Sequence, residues 1–216
     1  MKNTALEAIM ETKVIAIVRG IPSAQICDLA GAILAGGLRW LEVTFDHSKE
    51  GGIEETLRSI RLLSERFGNE IEVGAGTVMT AEEAALAKEA GAGYIISPNA
   101  DEAVIRETRR LELVSIPGAM TATEAASAWS WGGHIVKLFP AGILGPDYIK
   151  ALRGPLGHIP FTAVGGVTPQ NTPDFLRAGC VGVGVGGNLV SAKLVAEGKL
   201  DEITKTARAY AEAVRG

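Results

Sequence analysis

Residues 71–97 read IEVGAGTVMTAEEAALAKEAGAGYIIS and contain one complete strand–helix–strand pattern. Two short apolar runs, at 71–75 and 93–97, flank a longer stretch at 81–90 that has helical spacing. Thr80 precedes this stretch as a helix-start residue, and glycine follows it as a helix-stop residue. The apolar runs are almost continuous, which is typical of parallel strands buried on both faces. This segment therefore predicts a β–α–β unit.

The same unit recurs along the whole chain. Strands are predicted over 13–18, 39–44, 71–75, 93–97, 112–116, 134–139, 160–164 and 180–185. Helices are predicted over 23–36, 53–66, 81–90, 101–110, 121–130, 147–153, 170–178 and 201–214. Eight units in strict alternation predict a (β/α)8 TIM barrel, with an open doubly wound sheet as the alternative. We further expect a helix at about 4–11 that covers the barrel bottom, and a single domain over 1–216.

The composition argues against several classes of protein. Hydrophobic residues are 47% of the chain and charged residues 21%, values at which a buried core can form. The net charge of −4, without a clustered basic face, predicts no nucleic-acid partner. No apolar run approaches the roughly 20 residues that span a bilayer, so no membrane partner is expected. Cys27 and Cys180 form no CxxC pair and the three histidines are scattered, which predicts no metal site and a cytoplasmic location.

Lys137 is the most informative single residue, because it lies inside the apolar strand HIVKLFP at 134–140. Side chains alternate along a strand, so Lys137 points away from the side that carries Val136 and Leu138. The outer side packs on helices, which places Lys137 in the barrel interior. A buried lysine amine that has lost its proton is a nucleophile for carbonyl compounds. The alternative is a strand-end lysine that reaches solvent.

Glu42 follows the same alternation in the second strand, between Leu41 and Val43. It is therefore predicted to point into the barrel. A carboxylate there would offset the charge of Lys137 and move protons. The alternative is a structural salt bridge with Lys137 or Arg19.

Other strand ends carry polar residues and glycines. Arg19 ends the first strand, where an arginine can hold a carboxylate through two hydrogen bonds; a solvated loop arginine is the alternative. Thr44 and Thr77 place hydroxyls at comparable strand ends. The last two strands end in glycine clusters, namely Gly165 and Gly166, then Gly182, Gly184, Gly186 and Gly187. Barrels bind phosphate at these two loops, although tight turns also require glycine.

Eight motifs in order resemble those of the 2-keto-3-deoxy-6-phosphogluconate (KDPG) aldolase family. They are IAIVRG (15–20), LEVT (41–44), GAGTV (74–78), ISP (96–98), IPGAMTATEA (116–125), VKLFPA (136–141), AVGGV (163–167) and VGVGGNLV (183–190). The family includes 4-hydroxy-2-oxoglutarate (KHG) and 2-keto-3-deoxy-6-phosphogalactonate aldolases. The resemblance implies a class I aldolase that needs no cofactor, acts on a keto acid, releases pyruvate and forms a homotrimer.

The resemblance also implies residue roles. Lys137 corresponds to the Schiff-base lysine and Glu42 to the general acid/base. Thr77, Pro98 and Phe139 correspond to the pyruvyl pocket, Arg19 to a carboxylate-binding arginine, and Gly165, Gly166, Gly186 and Gly187 to the phosphate loops.

Three positions depart from the family pattern. Asp46 stands where some members have a carboxylate-binding arginine, and this is why Arg19 is assigned that role. Gly187 and Val164 replace hydroxyl residues in the phosphate loops of many members. KDPG remains the first predicted substrate, with KHG or the phosphogalactonate as the second choice. A phosphosugar isomerase or epimerase and a non-catalytic phosphate-ligand binder are the remaining candidate functions.

Overall fold

A computed structural model describes residues 9–215, in which nine parallel strands alternate with helices. The strands are β1 (Val14–Val18), β2 (Trp40–Thr44), β3 (Glu72–Gly76), β4 (Tyr94–Ile96), β5 (Val114–Ile116), β6 (Gly118–Ala119), β7 (Val136–Leu138), β8 (Phe161–Val164) and β9 (Gly182–Val185). The helices are α1 (Ser23–Ala35), α2 (Gly52–Phe67), α3 (Ala81–Glu89), α4 (Glu102–Arg110), α5 (Ala122–Ser130), α6 (Ala141–Leu156), α7 (Thr172–Arg177), α8 (Ala192–Ala196) and α9 (Leu200–Ala213), with a 3₁₀ turn at Gly68–Glu70. The strand order is β5-β4-β3-β2-β1-β9-β8-β7-β6.

The fifth strand, predicted over 112–116, extends to Ala119 and is divided by Pro117 into β5 and β6, which explains why nine segments replace the eight expected. β5 pairs with β4, whereas β6 pairs with β7. Proline has no amide hydrogen and interrupts the ladder, but the Pro117 carbonyl still accepts a hydrogen bond from the Lys137 amide at 2.8 Å. The Ser115 carbonyl accepts another from the His134 amide at 2.8 Å. These bonds join the two ends of the sheet, so the barrel prediction is confirmed and the open sheet is wrong.

Helix starts follow the sequence signals closely. The Thr80 hydroxyl accepts a hydrogen bond from the Glu83 amide at 3.1 Å at the start of α3. Thr121 and Glu124 form a complete capping box at the start of α5. Each such cap satisfies amides that a helix terminus leaves without partners.

One helix prediction requires correction, one helix was not predicted, and one prediction lies partly outside the described residues. The helix predicted over 147–153 is part of the longer α6, in which Gly145 has a left-handed φ of 75° and bends the helix. The short α8 was not predicted, because five residues are too few to show a helical period. Of the helix predicted at about 4–11, residues 9–12 are helical and the rest lies outside the described residues. The one-domain organisation over 1–216 stays a prediction.

A second apolar cluster, distinct from the layer between sheet and helices, fills the lower barrel. Its buried members are Ile9, Ile15, Trp40, Tyr94, Ile96, Val114, Ile116 and Ile135. Ile15 and Trp40 lie two residues before Ile17 and Glu42, so they face the same interior but deeper. Ile9 joins the cluster from the N-terminal helix, as expected of a helix that covers the barrel bottom. In the part of the chain that is described, no helix has the length and apolarity to cross a membrane.

Candidate active site

The barrel interior opens into a cavity of about 570 Å³ at the carboxyl ends of the strands. It is lined by Ile17, Arg19, Glu42, Thr77, Pro98, Lys137, Phe139, Val164, Gly165, Gly166, Val167, Gly184, Val185, Gly186, Gly187 and Asn188. Every residue that the family resemblance assigns to catalysis or substrate binding is among them. Residues from the first to the last strand therefore converge on one site, at the end of the barrel where TIM-barrel enzymes carry their chemistry.

Lys137 is buried within β7 and is only 7% exposed. Its neighbours Val136 and Leu138 lie in the apolar layer under the helices, as the alternation predicted. The Nζ atom is 5.3 Å from the centroid of the Phe139 ring, within the range of a cation–π contact. Lys137 makes no ion pair within 4 Å with any described residue. The amine therefore faces the cavity, with no counter-ion among the described residues.

Glu42 lies in the same cavity and is 2% exposed. Burial raises the pKa of its carboxyl group, and the positive charges of Lys137 and Arg19 only partly oppose this effect. Its Oε2 atom has no hydrogen-bond partner among the described residues. No salt bridge within 4 Å connects Glu42 to either basic group in that part of the chain, so the structural ion pair is not formed. A buried carboxyl group with a raised pKa is suited to proton transfer near neutral pH.

Gly76 gives Glu42 the space it occupies, a role that the sequence does not reveal. A Cβ atom on Gly76 would lie 1.9 Å from Oε1 of Glu42. Any side chain at this position of β3 would therefore displace the carboxylate. The GAGTV motif contains this glycine, but only the three-dimensional structure shows what it accommodates.

Arg19 and Thr77 meet at the cavity rim. The Nη2 atom of Arg19 donates a hydrogen bond to Oγ1 of Thr77 at 3.2 Å. Thr77 has a left-handed φ of 56°, which is strained for a β-branched residue. Backbone strain of this kind concentrates at functional sites, where the surrounding structure maintains it. The contact leaves the exposed guanidinium group of Arg19 at the mouth, where it can bind an anion.

Asp46 and Thr44 lie outside this cavity. They line a neighbouring one of about 330 Å³. Hydrogen bonds from the hydroxyl and amide of Ser48 hold the pKa of Asp46 at about 2, with a smaller contribution from Lys49. Thr44 donates a hydrogen bond to the Val18 carbonyl at 3.3 Å. Neither residue competes with Arg19 for a ligand in the main cavity.

Hydrogen bonds to its backbone carbonyl groups hold the glycine loop after β8 in place. Gly165 and Gly166 have left-handed φ angles of 88° and 75°. Their carbonyls and that of Val167 accept hydrogen bonds from the Gly142 amide (2.7 Å), Asn171 Nδ2 (3.0 Å) and Asn188 Nδ2 (2.8 Å), respectively. The amides of Gly166 and Gly187 donate no hydrogen bond to any described residue. Free amides on a rigid loop can bind an anion without a cationic side chain.

Asn188 and Val167 were not predicted as site residues. Asn188 holds the two glycine loops together, which only their spatial proximity reveals. Within residues 9–215, no group of three or more His, Cys, Asp or Glu side chains is placed to hold a metal ion.

These features define a class of protein. A TIM barrel with an unpaired, buried lysine and a buried carboxyl group in one cavity can form an imine with a carbonyl compound and move protons beside it.

Comparisons with known proteins give the family. A family model described as "Aldolase: KDPG and KHG aldolase" matches residues 6–206. The 2-dehydro-3-deoxy-6-phosphogalactonate aldolase of Escherichia coli (strain K12) is 34% identical over 202 residues, covering 93% of this chain and 96% of that protein. The KHG/KDPG aldolase of the same strain is 34% identical over 221 residues, covering 100% and 99%.

A solved structure agrees with this result. The crystal structure of KDPG aldolase from Legionella pneumophila, with pyruvate captured at low pH as a covalent carbinolamine intermediate, matches with a TM-score of 0.84 at 26% identity. The match covers 95% of this chain and 97% of that chain. The chain belongs to the KDPG and KHG aldolase family, and the prediction that it is an aldolase, and hence a lyase, is confirmed.

Proposed function

We propose that this chain is a class I aldolase that cleaves 2-keto-3-deoxy-6-phosphogluconate to pyruvate and glyceraldehyde 3-phosphate. The observation that carries the proposal is the enclosure of Lys137 and Glu42 in one cavity, without a salt bridge between them. A structural lysine in this position would be expected to have a counter-ion, because burial of an unpaired charge is costly.

The reaction begins when the Lys137 amine attacks the C2 ketone of the substrate. Glu42, through an ordered water, moves the protons needed to form the carbinolamine and to expel water as the imine forms. Glu42 then takes the proton of the C4 hydroxyl, and the C3–C4 bond breaks with its electron pair moving into the protonated imine. The aldehyde leaves and an enamine of pyruvate remains. Protonation at C3 and hydrolysis release pyruvate and restore the amine. The imine is the electron sink, so the mechanism needs no cofactor.

In the proposed complex, the carboxylate and the phosphate of the substrate bind at opposite ends of the cavity. Arg19 and Thr77 hold the C1 carboxylate at the rim, where the guanidinium group can donate two hydrogen bonds. Pro98 and Phe139 form the wall beside Lys137. The free amides of Gly166 and Gly187, in the loops that also contain Gly165 and Gly186, bind the phosphate at the opposite end.

An unphosphorylated keto acid such as KHG, or the phosphogalactonate, is the second candidate substrate. Val164 and Gly187 line the cavity at positions where many family members have hydroxyl residues, and the loss of these donors favours a substrate that depends less on them for phosphate binding. Pyruvate release should be measured with KDPG, its C4 epimer and KHG at equal concentrations. Preference for KDPG by tenfold or more in kcat/KM, equal to about 1.4 kcal/mol, supports the first choice. Preference for either of the others reassigns the substrate.

The aldolase proposal is tested by trapping. The protein is incubated with pyruvate and reduced with borohydride, and the modified peptide is located by mass spectrometry. An adduct on Lys137 supports imine chemistry. No adduct in folded protein would favour a phosphosugar isomerase or epimerase, which shares the glycine loops but needs no covalent lysine.

A Gly76→Ala variant is expected to lose turnover by about 10²-fold, because displacement of a catalytic group by about 1 Å has this order of effect. The added Cβ would overlap Oε1 of Glu42 and push the carboxylate out of position. Gly31→Ala is the matched control, since a Cβ there meets nothing within 4 Å on helix α1. That control should keep full turnover and gain about 0.5–1 kcal/mol in stability. Full turnover in Gly76→Ala would show that the position of Glu42 is not critical.

We also propose that the chain forms a cytoplasmic homotrimer. Large apolar side chains are exposed on the loops after β3 and β6 and in the first turn of α6, namely Met79, Met120 and Ile143, the last 79% exposed. Such residues at one end of a barrel are suited to contact between subunits. Sedimentation equilibrium should give three times the mass of one chain; a monomer mass would reject the trimer.

A further inference from the structure

Tyr94 is a buried group in the barrel that the proposed mechanism does not use. The parallel register pairs Glu42 with Gly74, and Gly74 with Tyr94. The three residues are therefore register partners on the neighbouring strands β2, β3 and β4. Alternation places all three side-chain positions toward the interior, because Glu42 lines the cavity.

Gly74 lets the Tyr94 ring extend across β3. A Cβ atom on Gly74 would lie 2.3–2.4 Å from ring carbons Cε2, Cδ2 and Cζ of Tyr94. The ring thus starts on β4 and lies over Gly74 of β3, the strand between Tyr94 and Glu42. The negative charge of Glu42 adds to burial in raising the pKa of Tyr94.

Neither group has a hydrogen-bond partner in the described part of the chain. Tyr94 is 0% exposed and Glu42 is 2% exposed. The Tyr94 hydroxyl and Oε2 of Glu42 make no hydrogen bond to any described residue. Buried polar atoms without partners destabilise a protein, and buried waters commonly join such groups.

We propose that Tyr94 is a positioning residue for Glu42, acting through one buried water that bridges its hydroxyl and Oε2 of the carboxylate. The inference rests on the proposed function, which gives Glu42 its role in proton transfer. The tyrosine hydroxyl donates to the water, and the water donates to the carboxylate. This arrangement fixes the orientation of the carboxylate and stabilises its charged form, which opposes the effect of burial.

Three further charged groups act electrostatically on Glu42 or Tyr94. Lys137 on β7 and Arg19 after β1 act on Glu42, and both favour its charged form. Glu72 on β3 acts on Tyr94 together with Glu42. None of these groups is removed by a change of Tyr94 to phenylalanine, so the effect of the hydroxyl can be measured alone.

The Tyr94→Phe variant keeps the ring and removes only the hydroxyl. We expect the acid limb of its kcat–pH profile to move upward by about one pH unit, since the carboxylate loses one charge-assisted hydrogen bond. Turnover on the plateau should stay within about threefold of the wild-type value, because the group that takes the proton is unchanged. Trp40→Phe is the control, since its ring packs 5.3 Å from that of Tyr94 and carries no hydroxyl. Superimposable profiles of wild type and Tyr94→Phe, or an equal shift in Trp40→Phe, would overturn the proposal.

Two further readouts separate this proposal from the aldolase proposal. Trapping with pyruvate should give the Lys137 adduct in wild type and in Tyr94→Phe. An adduct in both with no change in pH profile rejects only the role of Tyr94. If wild type forms no adduct, a high-resolution crystal structure can still test the bridge. A water within hydrogen-bond distance of the Tyr94 hydroxyl and of Oε2 of Glu42, present in wild type and absent from Tyr94→Phe, supports the bridge. Absence of this water from wild type rejects it.

Discussion

Lys137→Ala protein is expected to lose turnover by on the order of 10⁶-fold, the effect of removing a covalent nucleophile. It should also form no adduct with pyruvate under borohydride. The Lys137 side chain extends from β7 into the barrel interior and is only 7% exposed. No other lysine lines the cavity in the described part of the chain. A second lysine cannot replace it without reaching into the barrel interior.

The experiment needs a control for folding and one for reactivity. Lys137→Met keeps the length of the side chain and removes the charge, so it should remain folded with a melting temperature no lower than wild type, because an unpaired buried charge costs stability. Lys150→Ala removes an exposed lysine on α6 and should keep both turnover and the adduct. Substantial turnover or an adduct in Lys137→Ala would contradict the imine mechanism.

Much of this site follows from the alternation of side chains within single strands. Lys137 and Glu42 are each flanked by apolar residues, so each strand alone predicts that they point inward. Arg19 and the glycine pairs follow from the rule that barrel chemistry lies at the carboxyl ends of strands. These predictions need only the local sequence and the assumption that the fold is a TIM barrel.

The remaining features depend on contacts between strands, which no local pattern contains. Gly74 and Gly76 are small because Tyr94 and Glu42 lie over them from the strands on either side. Pro117 divides a strand yet keeps the barrel closed through its carbonyl group. Asp46 is held by Ser48 outside the main cavity, although its position after LEVT gave no sign of this.

Glu42→Gln is the second variant with a large expected effect. We expect kcat to fall by about 10²–10⁴-fold, the contribution of one positioned proton transfer. KM for the keto acid should change much less, because the amide has nearly the same shape and Arg19, the proposed ligand of the carboxylate, is unchanged. The acid limb of the kcat–pH profile should also disappear, since it reports the carboxyl group that has been removed. Glu65→Gln, an exposed change on α2, is the matched control.

The same variant should be more stable than wild type at neutral pH. Burial raises the pKa of Glu42 in the folded state. A carboxyl group with a raised pKa costs stability once the pH exceeds its unfolded value, and the cost grows until the folded value is reached. The gain in melting temperature should therefore be present at neutral pH and disappear below about pH 4, where the carboxyl is protonated in both states. A variant that is less active and more stable would identify Glu42 as a group kept for chemistry; a loss of stability at neutral pH would instead identify a structural role.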